Sequence, residues 1–373
     1  MFIGINASAA FIQPRTGVEE YTYQLIRHLA MLEQNKEHRF VLYTPNNNFQ
    51  LPIFNFQKSN FQIKQLKWGL PMWTQVRLAG EMILGKPDVL FIPVHVLPLI
   101  HPQNSVVTIH GLEYEYYPET YPLKHLKYLR WSTKYALKKA RKIIAVSENT
   151  KKDLIELYGG NPEKIEVVYH GVENKFSILN SQFSLNSQFS ISKPYILYLG
   201  RIESKKNIAG ILEAYKILKK KYQVPHKLIL AGSPGFDYDV LKFKIRNLLE
   251  IKNLKLEIIE TGYVSEQEKW QLLKNADLFI FPSFYEGFGL PILEAQAAGC
   301  PVIAANVSSM PEVAGQGAIL IDPENIEQIC QMMYKIIEDR KLRTRLIKQG
   351  CENVKRFSWR KCAQETLKIL TDL

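Results

Sequence analysis

Little in this chain is suited to cross-linking. Its 373 residues include four cysteines, Cys300, Cys330, Cys351 and Cys362, and no two are close in sequence. That spacing argues against a zinc site or a disulfide framework and fits a reducing cytosol. Long hydrophobic runs are missing as well: no apolar stretch reaches about 18 residues, so no transmembrane helix is expected. The opening residues, Met-Phe-Ile-Gly-Ile-Asn, have no basic region ahead of their apolar ones. They read as a first strand and not as a signal peptide. Acidic residues are in short supply, with 36 Asp and Glu against 48 Lys and Arg, a formal charge of +12. The excess favours an anionic partner: nucleic acid, an anionic membrane or a phosphorylated substrate. Charge alone does not choose among them. The chain lacks aromatic–basic RNA motifs, zinc spacing and a basic tail, which leaves nucleic-acid binding supported by charge only.

What is present is a repeated alternation of strand and helix. At this length, with 46% hydrophobic residues, two packed domains are expected. Strands are expected at Phe2–Asn6, Arg39–Tyr43, Phe61–Leu66, Val89–Ile92, Val106–Ile109, Lys142–Val146 and Ile165–Val168. Val18 to Gln34 is expected to be helical, because Val18, Tyr21, Leu25, Leu29 and Leu32 recur at helical spacing. A polar stretch around Asn46 to Asn48 reads as loop. The alternation then stops. Leu179 to Ser184 reads Leu-Asn-Ser-Gln-Phe-Ser, and Leu185 to Ser190 repeats it. A tandem duplication is tolerable only in a surface loop, so the linker is placed at 173–194. Alternation restarts at Tyr195–Leu199, with strands at Lys227–Ala231, Leu256–Thr261 and Ile319–Ile321. Ser265 with Glu268 forms a capping box, and Asp322-Pro323 is expected to open a helix. Such alternation argues for parallel sheets covered by helices on both faces. The domains are expected at 1–172 and 195–356.

The most informative stretch runs from Phe281 to Val302. An apolar strand, Leu278 to Phe281, leads into a loop with two glycines. Pro291 then sits where a helix begins and Gly299 where it ends. Backbone N–H groups at Phe288, Gly289 and Leu290 would face out of that helix terminus and suit a phosphate. Two carboxylates, Glu286 and Glu294, frame the cradle. Beside a phosphate they make sense as acceptors for hydroxyls, and a sugar nucleotide supplies such hydroxyls on both sides of its diphosphate. The bland alternative is a solvated loop glutamate and a second one aligned with the helix dipole.

Glu286 and Glu294, with Gly-Phe-Gly-Leu-Pro between them, resemble the signature of the retaining glycosyltransferases of family 4. Their GT-B fold has two doubly wound Rossmann-like domains facing across a cleft, and the C-terminal helix (357–373 here) returns to the N-terminal domain. Further matches follow along the chain. Gly200-Arg201 comes directly after a strand, with Lys206 five residues beyond the arginine. Arg201 can fork onto a phosphate and Lys206 can add a point charge. The resemblance implies that both bind the donor diphosphate, and that Gly287, Phe288, Gly289 and Leu290 line the donor site. His110 ends the strand Val107-Thr108-Ile109. A lone histidine is more often structural, but this one resembles a histidine that contacts the transferred sugar. Gly111 stands where the family often has Asp. Gly17 stands in Thr16-Gly17, where the family usually has two glycines. It is expected near the donor phosphates or the acceptor. By resemblance Gly232 and Gly262-Tyr263-Val264 approach the nucleotide base, and Val264 is the preferred contact. His170 is read as structural.

One stripe remains outside that pattern. Lys124, Lys127, Trp131, Lys134, Lys138 and Arg141 fall on one helical face, while Leu126, Leu129, Leu137 and Ala140 fall on another that should pack inward. The basic face is either a solvated surface or a seat for an anionic membrane carrying a lipid-linked acceptor. The reading is therefore a cytoplasmic retaining hexosyltransferase, peripheral on the inner face of the membrane if the basic face seats one. Glu286 and His110 would serve the transferred sugar and Glu294 the ribose. The donor would be a nucleoside diphosphate hexose (mannose, glucose, rhamnose or similar) and the acceptor a glycan or lipid-linked glycan. No metal or other cofactor is expected. The alternatives are a same-fold sugar-nucleotide epimerase and a basic nucleic-acid-binding protein.

Overall fold

The computed structural model describes residues 1–45, 60–173, 193–250 and 254–373. The Asn46–Asn48 stretch, the hexapeptide repeat and all but the ends of the 173–194 linker lie outside these residues. The chain divides into two compact units, Met1–Gly171 with Phe357–Leu373, and Val172–Arg356.

The first unit is built on seven parallel strands in the order β3-β2-β1-β4-β5-β6-β7. These are β1 Phe2–Asn6, β2 Arg39–Thr44, β3 Phe61–Gln65, β4 Val89–Ile92, β5 Ser105–Ile109, β6 Lys142–Ala145 and β7 Ile165–Val167. Its helices are α1 Gly17–Met31, α2 Ala79–Leu84, α3 Glu113–Tyr116, α4 Leu123–Lys139 and α5 Glu148–Tyr158. Strands β4 and β5 are buried throughout, as parallel strands covered on both faces must be. Local signals start and stop the helices. The Ser147 hydroxyl accepts from the Thr150 N–H at 3.0 Å to open α5, and Gly159, at φ 65, closes it. Gly111 takes φ 139 directly after His110, a conformation a side chain disfavours.

The second unit has six parallel strands in the order β10-β9-β8-β11-β12-β13. They are β8 Tyr195–Leu199, β9 Lys227–Ala231, β10 Ile258–Gly262, β11 Leu278–Phe281, β12 Val302–Ala305 and β13 Ala318–Ile321. Counted from β8 this is the 3-2-1-4-5-6 order of a Rossmann sheet. The helices are α6 Ile208–Tyr222, α7 Tyr238–Leu249, α8 Glu266–Asn275, α9 Leu290–Ala297, α10 Met310–Ala314, α11 Ile326–Glu338 and α12 Arg340–Val354. Helix α13, Trp359–Thr371, belongs to the first unit and lies against α1.

Helix α1 ends at Met31 rather than Gln34, and several strand ends shift by one residue; two further boundaries have a visible cause. Helix α11 opens at Ile326 under an Asn325 cap, whose side chain accepts from the Gln328 N–H at 2.9 Å. Asp322 instead turns its carboxylate onto the Glu324 N–H at 2.9 Å, a local bond that competes with helix formation. Strand β10 begins at Ile258 rather than at Leu256 and ends one residue late, because its register with β9 shifts between Glu260 and Gly262.

The carboxyl edge of this sheet needs glycine. Gly200 and Gly232 follow β8 and β9 at φ 154 and 146, and a Cβ on Gly232 would stand 1.9 Å from the Gly200 carbonyl oxygen. Gly232→Ala combines backbone strain with a main-chain collision. It should cost at least about 2 kcal/mol, read as a lowered midpoint in chemical denaturation with an unchanged slope.

Candidate functional site

Open parallel sheets bind ligands outside the carboxyl ends of the strands where the strand order reverses. In the second unit that point lies between β8 and β11. The loop after β8 carries Arg201 and Lys206; the loop after β11 carries Glu286 to Gly289. The two loops are tied by the Phe284 N–H, which donates to the Lys205 carbonyl at 3.1 Å. Across them the Lys206 ammonium donates to Glu286 at 2.6 Å, with side-chain exposures of 17% and 14%. Arg201 is exposed. Among the described residues no acid pairs with its guanidinium. The Tyr198 hydroxyl holds its carbonyl at 2.8 Å.

Helix α9 starts at Leu290, with Gly289 as its cap at φ 103, where glycine is needed. Pro291 has no N–H, and the Ile292 N–H turns back to the Gly289 carbonyl at 3.0 Å. The outermost amides, those of Gly289 and Leu290, precede the first intrahelical bond. Glu294 sits one turn in. Lys269 from α8 donates to it at 2.5 Å, and both side chains are largely buried. Val264 is half-buried in the turn from β10 to α8. Arg201, Lys206, Glu286, Gly287, Phe288, Gly289, Leu290, Glu294 and Val264 thus all sit at one edge of one unit.

Three residues here went unmarked in the sequence. The Ser308 hydroxyl accepts from the Glu286 N–H at 3.0 Å. The buried Ser309 hydroxyl lies 2.8 Å from both the Glu286 and Phe288 carbonyls. Together they hold the backbone of the β11–α9 loop. Both follow β12, so the strand-edge rule could have found them. Lys269 carried no such signal, since a lysine inside a capped helix reads as solvated.

His110 and Gly17 lie in the first unit. A Cβ on Gly17 would meet nothing within 4 Å, so packing does not require glycine there. His110 caps β5 with both its backbone and its ring engaged. Its Nε2 is 2.7 Å from the Pro93 carbonyl, and its N–H donates to His95 Nε2 at 2.8 Å. A carbonyl only accepts, so His110 carries its proton on Nε2. His95 Nε2 must in turn be a lone pair, which makes His95 neutral with its proton on Nδ1. Pro93 and His95 follow β4, beside the β1/β4 reversal of this sheet. Tyr21 packs edge-on to His110 at 4.7 Å between centroids, and His170 stacks on Trp359 at 5.8 Å. A Cβ on Gly171 would fall 2.0 Å from the Trp359 nitrogen, so glycine permits the approach of α13. His170 is buried and packs between Tyr21 and Trp359.

Burial, reinforced by neighbouring His95, pushes His110 down to about 3; the Pro93 carbonyl opposes this. Burial also lowers His95, and burial with the neighbouring His110 lowers His170 well below the ordinary value. Unfolding between about pH 3 and 6.5 therefore takes up protons. These groups contribute stability that is fully present above pH 6.5 and lost as pH falls through that window. The melting temperature should fall from pH 7 to pH 5. His170→Phe should reduce that fall, read as a smaller difference between thermal scans at the two pH values.

Two family models match the chain: Glycosyltransferase Family 4 over residues 15–176 and Glycosyl transferases group 1 over residues 184–353. The O-antigen chain mannosyltransferase B of Escherichia coli is 31% identical over 268 residues, covering 71% of this chain and 69% of that protein. The serotype-specific mannosyltransferase WbdA of Escherichia coli is 27% identical over 243 residues, covering 63% of this chain and 29% of that longer protein. The Anabaena protein HepE, solved in complex with UDP-glucose, aligns over 100% of this chain and 99% of its own. Its TM-score is 0.74 at 17% identity, which shows a shared fold.

Proposed function

This chain belongs to Glycosyltransferase Family 4, its C-terminal half to Glycosyl transferases group 1, and from that premise we propose that it moves a hexose from a nucleoside diphosphate sugar to a glycan or lipid-linked acceptor in surface-polysaccharide synthesis. The architecture, two parallel-sheet Rossmann-like units, is that of a GT-B glycosyltransferase. The observation that carries the reading is the set of groups around the β8/β11 reversal. Arg201, Lys206 and the start of α9 supply positive charge for a leaving diphosphate, the main electrostatic task of the reaction. Glu286, pinned through its backbone by Ser308 and Ser309, holds hydroxyls of the transferred sugar. Glu294, one turn into the helix, takes the ribose hydroxyls. Val264 flanks the base. Neutral His110 is assigned to the transferred sugar from its motif, and Gly17 to close backbone approach of a ligand.

The reaction we propose is retaining and metal-independent, with the acceptor attacking from the face the diphosphate leaves. Those cationic groups provide the charge a metal would otherwise supply. The similarity to mannosyltransferases supports a hexose donor. Arg201→Ala removes a charge-assisted contact and should weaken nucleoside diphosphate binding about tenfold. Isothermal titration reads this directly, and unchanged affinity in a folded variant would remove Arg201 from the site. A nucleotide-sugar library followed by mass spectrometry identifies the donor.

We further propose that the protein works in the cytoplasm, seated on an anionic membrane. No helix among the described residues is long and apolar enough to cross one. Helix α4 buries Leu126 and Ala136, and half-buried Leu129 and Leu137 pack on the same core. Its outer face carries Leu123, Lys124, Lys127, Trp131, Lys134 and Lys138, with Trp131 41% exposed and Leu123 74%. Arg141 lies past the helix end, and Arg130 is held by Glu115 at 2.8 Å. Tyr128, Trp131 and Tyr135 stack in a row, 5.7 and 5.4 Å between centroids. The Tyr135 hydroxyl donates to the Leu99 carbonyl at 3.0 Å, and Gln75 bonds the main chain at Leu97 and Leu99. These contacts bring exposed Met72, Val76, Leu99 and Ile100 beside the aromatic row. Interfacial aromatics flanked by lysines, with no acid on the helix, suit an anionic bilayer. The protein should co-sediment with phosphatidylglycerol vesicles at low salt and detach at high salt. Changing Lys127, Lys134 and Lys138 together to Glu should abolish this. Equal sedimentation with neutral and anionic vesicles would mark the face as merely solvated.

A further inference from the structure

The cations at the β8/β11 reversal are mostly spoken for. Lys206 holds Glu286 at 2.6 Å, Lys269 holds Glu294 at 2.5 Å, and Lys205 lies 3.6 Å from Glu203. Among the described residues Arg201 has no acid partner. A diphosphate brings more negative charge than one guanidinium balances, and the nearest further ammonium on the same loop is already paired with a carboxylate. Phosphate oxygens and Glu286 therefore compete for one group.

We propose that Lys206 is an exchangeable cation, paired with Glu286 before the donor binds and with the diphosphate afterwards, so that diphosphate binding itself releases Glu286 for the sugar hydroxyls. The inference rests on the glycosyltransferase reading and adds an order of events to it. The local structure supports an exchange of side chains over a movement of loops. Phe284 bonds Lys205 main chain to main chain at 3.1 Å. Asn207, at φ 56, follows Lys206 and fixes the end of its loop. Its side chain accepts from the Gly210 N–H at 3.1 Å and donates to the Pro323 carbonyl at 2.6 Å. On the other side, Ser308 and Ser309 hold the amide and carbonyl of Glu286 at 3.0 and 2.8 Å. With both backbones pinned, what remains adjustable is the four-carbon stem of the lysine, whose ammonium presents three donors in any rotation. Glu286 then acts as a built-in competitor of the diphosphate and lowers the affinity for nucleotide alone.

A thermodynamic cycle tests this with UDP and GDP as probes, read by isothermal titration. Glu286→Gln keeps the shape and one acceptor but removes the charge, so Lys206 is surrendered more easily. Nucleoside diphosphate affinity should rise, by roughly fivefold for a pair of about 1 kcal/mol. Lys206→Met should weaken it about tenfold. The double variant should bind as Lys206→Met does, because the glutamate acts only through the lysine. Equal or weaker binding by Glu286→Gln overturns the exchange. So does a tightening of the same size in the Lys206→Met background, which would mean direct repulsion between Glu286 and phosphate. Thermal melts confirm that each variant is folded. A wild-type protein that binds neither nucleotide defeats the functional reading itself, a result distinct from failure of the cycle.

Discussion

Two parallel strands, β8 and β11, lie side by side although β9 and β10 intervene in sequence. The pairing of the two central loops at the candidate site depends on that adjacency. It brings Lys206 and Glu286, 80 residues apart, to 2.6 Å. The strand order reverses at this line, so the loops on either side leave the sheet toward opposite flanks and a crevice opens between them. The neighbouring β8–β9 pairing explains the glycines. Loops crossing so close to one another leave no room for a Cβ at Gly232, where the Gly200 carbonyl already stands.

The electrostatics of the site follow from packing as much as from composition. The chain carries +12 overall, yet Lys206 and Lys269 face carboxylates rather than water. Burying two like charges without partners would cost several kcal/mol each, so each arrives with its counter-ion. The carboxylates serve the fold by neutralising these lysines, and by the present proposal they serve the donor by accepting hydroxyls. In the first unit burial acts in the opposite sense. Desolvation is the main cause that keeps these histidines neutral. A neutral His110 can position a hydroxyl without adding charge.

Helix α4 has two faces with different roles. The inward residues of α4 complete the core of the first unit, while its outer lysines and tryptophan contribute nothing to that core. Their arrangement is set by helical period alone. Beside them, Tyr135 bonds the main chain at Leu99, and Gln75 ties its own helical turn to the main chain at Leu97 and Leu99.

Local chemistry in the sequence was enough to settle much of this protein. Capping residues such as Ser147 and Ser265, the proline and glycine bracketing α9, and buried apolar runs such as Leu278–Phe281 act within a few residues, so strands, helices and the α/β class were legible from them. The α9 cradle with Glu286 and Glu294, and the Gly-Arg motif with Lys206, were marked as candidates by their resemblance to a family motif. Where two local rules competed, at Asp322-Pro323, the turn bond won and the helix began later. Only the tertiary structure decided which charges meet. Lys269 and Glu294 are 25 residues apart, and no periodicity links a lysine in one helix to a carboxylate in the next. Ser308 and Ser309 reach the Glu286 loop only because β12 lies beside β11. The neutral state of His95 follows from one bond to the His110 backbone. Such contacts arise from strand order and close packing, which join residues distant in the chain and which no local pattern encodes.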